Sequence, residues 1–308
     1  DEKAALALAK LHAVGLLEGI WIPPDDVRDL RALVAERHKL VRLQTQVKNR
    51  LHSVLHRCHV LLPSGCAFSD KNREWWTELE VSPLERTRIQ GYIETLEFIK
   101  GQIRNVNAAL TEATIQDRRL PLLIQIPGIG FVVGTTILAA IGVITRFPTS
   151  SELVGYAGLG TQVHDSGETH KSGRITKAGR RDLRSAIVEA AQSAARTHPY
   201  WKDQMARLEP RLGRKKAIVA IARKLLVVVW HVLTKETVDR HAHPQKVACS
   251  LFALAYKGGV HNLPDGQSAA AFTRQQLDRL GIGQELTDIP WGTKRPKLPP
   301  SPLVASGL

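Results

Sequence analysis

Apolar residues recur at intervals of three and four through most of this chain, the period of an amphipathic helix. Leu6, Ala9, Ala13, Leu16 and Leu17 predict a first helix over residues 1–17, and Trp21-Ile22-Pro23-Pro24 ends it. Asp25 or Asp26 is placed to cap a much longer helix, in which Leu30, Leu33/Val34, Leu40/Val41, Val47, Leu51 and Val54/Leu55 alternate with charged positions. Pro63-Ser64-Gly65 interrupts the pattern. A second run then repeats it, through Ile89, Tyr92/Ile93, Leu96, Ile99, Ile103, Val106 and Leu110. Two long helices of matching period predict an antiparallel hairpin within one subunit or a coiled coil between subunits. The narrowness of each stripe favours the pairing between subunits.

Beyond residue 118 the pattern changes. Leu120 to Ile126 is apolar, Pro127-Gly128-Ile129-Gly130 is a turn, and the run from Phe131 to Gly142 is rich in small residues. This is the pattern of a helix–hairpin–helix unit. Gly128 and Gly130 permit close backbone approach, so the amides that begin the second helix could hold a nucleic-acid phosphate; a plain helical corner fits the same residues. After Ser150-Ser151-Glu152-Leu153, which predicts another helix, residues 160–173 form a polar stretch rich in Gly, Ser and His, expected as a loop. Helical spacing returns over residues 176–195 and 217–233. It weakens after Asp239, and the Pro-rich residues 290–308 are expected to be disordered. The fold class is mainly α.

Charge narrows the partners. The chain of 308 residues carries 43 Lys and Arg against 29 Asp and Glu, a formal net charge of +14. Residues 161–224 hold 15 of the basic residues and 6 of the acidic ones, so most of the surplus lies in a minority of the chain. A concentrated basic stretch points to a polyanion, because counterion release rewards contact with phosphates. No run of about 18 uncharged apolar residues is present, so no membrane-spanning helix is expected. Cys58, Cys66 and Cys249 are an odd number at no metal-binding spacing, which argues against a disulfide scaffold and for a reducing cytoplasm. The opening Asp1-Glu2-Lys3 has no initiator Met and no apolar leader, and reads as a chain whose beginning is missing.

The chemistry concentrates in the polar stretch. Ser166 lies between Asp165 and Gly167, with His164, His170, Lys171, Arg174, Lys177, Arg180, Arg181 and Arg184 nearby in sequence. A hydroxyl among cations suits phosphoryl chemistry, since the cations bind the diester and disperse charge in the transition state. A plain turn residue after Asp165 fits the same sequence. His164 and His170 lack cysteine partners, and no metal role follows for them.

Several strings together resemble one family. They are Arg146-Phe147-Pro148-Thr149, Gly155-Tyr156-Ala157-Gly158-Leu159-Gly160-Thr161, Ser166-Gly167, Gly173-Arg174-Ile175-Thr176-Lys177-Ala178-Gly179 and Leu183-Arg184, with the Ile126–Gly130 unit upstream. In this order and spacing they resemble the insertion-sequence 110-type (IS116/IS110/IS902-like) transposases. The resemblance implies an RNase H/RuvC-like domain with four magnesium-binding carboxylates, a coiled-coil arm, and a helical domain whose serine attacks DNA. Along this chain it implies a RuvC-like remnant at 1–24, the arm at 25–118, the serine domain at 119–240 and an extension at 241–308.

The same resemblance makes Ser166 the nucleophile; the residues themselves suggest nucleic-acid contacts at Gly128, Gly130, Lys171, Arg174, Lys177, Arg180, Arg181 and Arg184. The resemblance also implies double-stranded DNA and a structured guide (bridge) RNA as partners, a dimer or tetramer, and a bacterial cytoplasmic, nucleoid-associated setting without a membrane. One position departs from the family pattern. Asp1 matches one carboxylate of an Asp-x-x-Asp pair, but Ala4 stands where the second belongs. Two carboxylates three apart share a helix face and can converge on one cation, whereas Asp1 alone cannot. The expectation is therefore a truncated chain that does not bind the family's Mg2+. The alternative is a non-enzymatic helix–hairpin–helix protein that binds nucleic acid.

Overall fold

The computed structural model describes residues 2–17, 19–166, 169–257, 259–260, 263 and 266–305, with backbone alone for 163–166, 169–172, 304 and 305. The described residues are mainly helical. Helix α1 (Glu2–Ala13) buries none of its side chains, and Leu6, Leu8 and Leu11 are all exposed. The linker after it is anchored by Trp21, whose ring receives the Arg146 guanidinium at 3.9 Å from its centroid.

Helices α2 (Asp25–Arg57) and α4 (Pro83–Thr114) lie antiparallel along each other. Arg37 Nε donates to Asn107 Oδ1 at 2.8 Å near one end, and Arg57 Nη2 donates to Glu85 at 3.1 Å near the other. The apolar stripes meet within the one chain: Val47, Leu51, Val54 and Leu55 pack with Ile89, Leu96 and Ile99 in a single buried cluster. The expected pairing of these stripes between subunits is thereby corrected. Stripe width is the same whichever chain supplies the partner, so the pattern could not distinguish the two arrangements. A short 3-10 turn (Asp70–Asn72) and helix α3 (Arg73–Thr77) close the far end. There Trp76, 5% exposed, donates its Nε1–H to Ala67 O at 2.8 Å and stacks on Phe68.

The second and larger core gathers α5 (Arg119–Ile124), α6 (Phe131–Ile141), α7 (Ser150–Tyr156), α8 (Arg181–Thr197), α9 (Pro199–Leu212), α10 (Arg214–Lys235), α11 (Pro244–Lys257) and α12 (Ala269–Leu280). The Arg31 guanidinium joins α2 to this body. Its Nε and Nη2 donate to Ala139 O and Ala140 O at 2.7 and 2.9 Å, satisfying carbonyls at the C-terminal end of α6. Helix α10 is long and apolar enough to cross a membrane by length and composition, although Arg223 and Lys224 interrupt its apolar run. It is used as a core helix: Ala217, Ile221, Ala222, Leu225, Leu226 and Val229 are fully buried, and Arg223 and Lys224 lie on its exposed side.

Two further expectations are corrected. The stretch expected as a loop is strand over residues 161–166 and 169–173. Strands β1 (Thr161–Ser166) and β2 (Thr169–Ile175) form an antiparallel pair from Thr161↔Ile175 to Ser166↔Thr169, with an irregularity at Gln162. The described part of the Pro-rich end is ordered against the core. Ile289 and Leu298 are buried, Ile289 and Leu298 N–H bond to Pro296 O and Thr287 O, and a last turn α13 (Pro302–Ala305) follows. Arg274 on α12 fixes this segment through carbonyls at Gly283, Leu286 and Pro299.

Candidate nucleic-acid interface

The β1–β2 pair stands on a backbone clasp. Thr176 N–H donates to Gly160 O at 2.8 Å, Lys177 N–H to Gly158 O at 3.1 Å and Arg180 N–H to Tyr156 O at 2.7 Å. These bonds tie the end of α7 to the start of α8 at the base of the β1–β2 pair. Gly158 has φ +66°, and a Cβ there would lie 2.6 Å from Arg184 Nη1; on Gly179, at φ +140°, it would lie 2.4 Å from Tyr156 O. Only glycine permits both the dihedral and the approach. The Gly-Leu-Gly and Thr-Lys-Ala-Gly strings thus have a local structural reason.

The cations divide by what they touch. Arg184 Nη1 donates to Ala157 O at 2.9 Å and Lys177 O at 3.2 Å, so it reinforces the clasp. Arg180 donates to Asp182 Oδ1 at 3.0 Å, across the first residues of α8. Arg174, Lys177 and Arg181 are exposed around the base of the strands. Arg31 and Arg146 lie behind them against Tyr156. Burial, and then the charge of Arg180, lower the Arg31 pKa below its ordinary value, as expected where guanidinium groups crowd together. Arg207, Arg211, Arg214, Lys215 and Lys216 add an exposed basic corner where α9 meets α10.

Ser166 is the last residue of β1, opposite Thr169, whereas Arg174 lies five residues further along β2. At the rise of a strand, that separates them by roughly 17 Å along the ladder. The exposed cations therefore sit at the base and the serine at the far end. Lys171 pairs with His164 in the same ladder. The side chains of Ser166 and Lys171, and all of Asp1, lie outside the described residues. Ala4 is exposed on α1, and among the described residues no group of three or more His, Cys, Asp or Glu side chains is gathered to hold a metal.

The two glycines of the hairpin turn differ. A Cβ on Gly128 would lie 2.3 Å from Ala190 O and 2.9 Å from Ala194 N, so the close backbone approach it permits is to α8. Gly130 caps α6 at φ −101°, and a Cβ there would meet nothing within 4 Å. The open face of the turn is therefore at Gly130, beside a cavity of about 260 Å³ lined also by Gln125, His198, His241, His243 and Lys246. The sequence reading missed these residues because they come from three separated segments. The one local signal was His241-Ala-His243 just before the proline that starts α11.

Residues 120–206 match the family described as Transposase IS116/IS110/IS902. The chain is 34% identical over 175 residues to the pilin gene-inverting protein of Moraxella bovis, covering 52% of this chain and 54% of that protein. It is 23% identical over 256 residues to the transposase for insertion sequence element IS1111A of Coxiella burnetii, covering 78% and 68%. To the transposase for insertion sequence element IS1328 of Yersinia enterocolitica it is 24% identical over 218 residues, covering 70% and 65%. The chain thus spans between about half and two thirds of the length of these curated relatives.

Proposed function

We propose that this chain, whose residues 120–206 match the IS116/IS110/IS902 transposase family, is the DNA-holding, serine-bearing part of an insertion-sequence recombinase. The observation that carries this reading is the position of the match: residues 120–206 include the hairpin turn, the clasp, both strands and the basic start of α8. In the proposed step the Ser166 hydroxyl oxygen attacks a backbone phosphorus. The Oγ–P bond forms, the bond from phosphorus to one deoxyribose oxygen breaks, and the serine proton ends on that released oxygen. The strand end is then held as a phosphoserine ester and can be passed to another strand.

The distance between Ser166 and the exposed cations shapes the proposal. About 17 Å along the strands corresponds to roughly five base pairs of duplex at 3.4 Å each. Nucleic acid lying lengthwise on the β1–β2 pair would meet Arg174, Lys177 and Arg181 at one end and the serine at the other. Charge stabilisation at the serine would then come from Lys171 or from a second subunit in a dimer or tetramer. A guide RNA that pairs with the DNA belongs to the same reading, as does assignment of α1 to an RNase H/RuvC-like unit whose core would cover Leu6, Leu8 and Leu11. The magnesium of that unit has no donor set among the described residues, Ala4 standing where a second carboxylate belongs. The step assigned to this chain is the serine's alone.

Binding and chemistry separate by mutation. Arg174→Gln, Lys177→Gln and Arg181→Gln combined should weaken duplex binding and reduce the slope of log affinity against log salt by about 2 to 3, near 0.9 for each lost phosphate contact. Ser166→Ala should leave duplex affinity within about twofold, since a neutral hydroxyl releases no counterion. Fluorescence anisotropy of a labelled duplex across a salt series measures both. An unchanged slope in the triple variant would remove the base of the strands from the interface.

A further inference from the structure

The cavity at the start of α6 has the chemistry of an oxyanion site. Helix α6 begins at Gly130 with no side-chain cap and no acidic residue in its first turn. Its first amides therefore lack intrahelical acceptors, and its positive pole is uncompensated. Gln125, in the cavity wall, is only 2% exposed. Its Oε1 accepts the Asp239 N–H at 3.0 Å, while its Nε2 is buried without a hydrogen-bond partner. An unmatched buried donor is costly and calls for an acceptor. His198 Nδ1 and, beside it, the acceptor Asp239 Oδ2 are likewise buried without a hydrogen-bond partner. Lys246, whose Nζ reaches Thr197 O at 3.1 Å, and His243 complete the wall; none of the described lining residues is a carboxylate, and Asp239 is the acidic group near His198.

We propose that this cavity binds a phosphate group of a nucleic-acid strand, held by the α6 amides, Gln125 Nε2 and Lys246, and that binding is coupled to proton uptake by His198. The strand assignment rests on the nucleic-acid reading of the chain; the phosphate assignment rests on the cavity alone. The groups facing His198 are His241, Lys246 and Asp239. Around them, Tyr200 stacks on His241 at 4.0 Å and Arg240 Nε donates to His241 Nε2 at 3.3 Å. Burial first, then the charges of His241 and Lys246, hold the His198 pKa below its ordinary value, while a hydrogen bond to the His241 backbone and the charge of Asp239 act the other way. An anion favours the cationic ring. Its affinity therefore rises as pH falls through the histidine range and is lower above it.

Two probes test the proposal on the 308-residue chain. The first is inorganic phosphate, followed by NMR of the histidine ring protons at matched ionic strength. Phosphate is expected to shift the His198 and His243 signals and raise the apparent pKa of His198. Lys246→Gln and Gly130→Ala should each weaken this by about fivefold. Ring signals that ignore phosphate at about pH 6, or variants that bind as the parent does, overturn the site. The second probe is a labelled duplex at the same pH. A loss of about threefold or more in duplex affinity in both variants supports a strand phosphate. Phosphate binding with unchanged duplex affinity overturns the strand assignment and leaves a small-anion site. A chain that takes phosphate in the cavity but binds no duplex at all would instead sink the nucleic-acid reading under "Proposed function".

Discussion

Gly128→Ala is expected to lower the unfolding free energy by about 3 kcal/mol, through overpacking and a left-handed dihedral together. The new methyl would lie 2.3 Å from Ala190 O, a backbone atom in the middle of α8 that cannot swing aside. Moving α8 would disturb Leu183, Ile187, Ala190 and Ala194, all fully buried in the larger core. The glycine's φ of +88° adds backbone strain that no side-chain shift relieves. Gly130→Ala, two residues on, should change stability by less than about 1 kcal/mol, the usual scale of a change at a helix cap. Urea unfolding followed by circular dichroism gives both values. Equal losses would mean that Gly128 is not the contact between the turn and α8.

Arg274→Met should cost about 3–5 kcal/mol, the range for breaking a buried charged pair by removing one partner. The side chain is 4% exposed and holds three carbonyls, with Gly283 O and Pro299 O each at 2.8 Å. It also faces Asp278 at 3.6 Å, whose side chain is 13% exposed. Methionine fills much of the volume but leaves those acceptors without a donor and Asp278 with the Ser301 hydroxyl at 2.8 Å. The loss should begin locally. Trypsin should cut faster after Lys294 and Lys297, and the Ile289 and Leu298 amides should exchange faster than those of α8. Uniform protection across the chain in this variant would show that Arg274 is not what fastens the C-terminal segment.

These cases also show what the sequence could carry. The long helices were legible because an apolar residue every three or four positions persists through α2, α4, α8 and α10. The strands were not, since Thr161 to Ile175 is polar and glycine-rich and shows no alternation of apolar and polar positions. The C-terminal segment looked unstructured because one arginine and a set of carbonyls fasten it, and Arg274 reads in sequence as an ordinary surface position of a helix. The basic cluster was visible as charge, but charge does not reveal targets. Arg180 and Arg184 resemble Arg174 and Arg181 in sequence, yet the first two bind Asp182 and backbone carbonyls. The cavity at α6 assembles residues separated by more than 100 positions, and only the fold brings them together.

The most direct measurement is a map of any covalent protein–DNA product. The protein would be incubated with cognate duplex and guide RNA, digested with nuclease and trypsin, and analysed by mass spectrometry. The account predicts a nucleotide remnant on the peptide ending at Lys171, localised to Ser166 and absent in Ser166→Ala. A remnant on another residue, equal labelling of Ser166→Ala, or recombination without any adduct would contradict it.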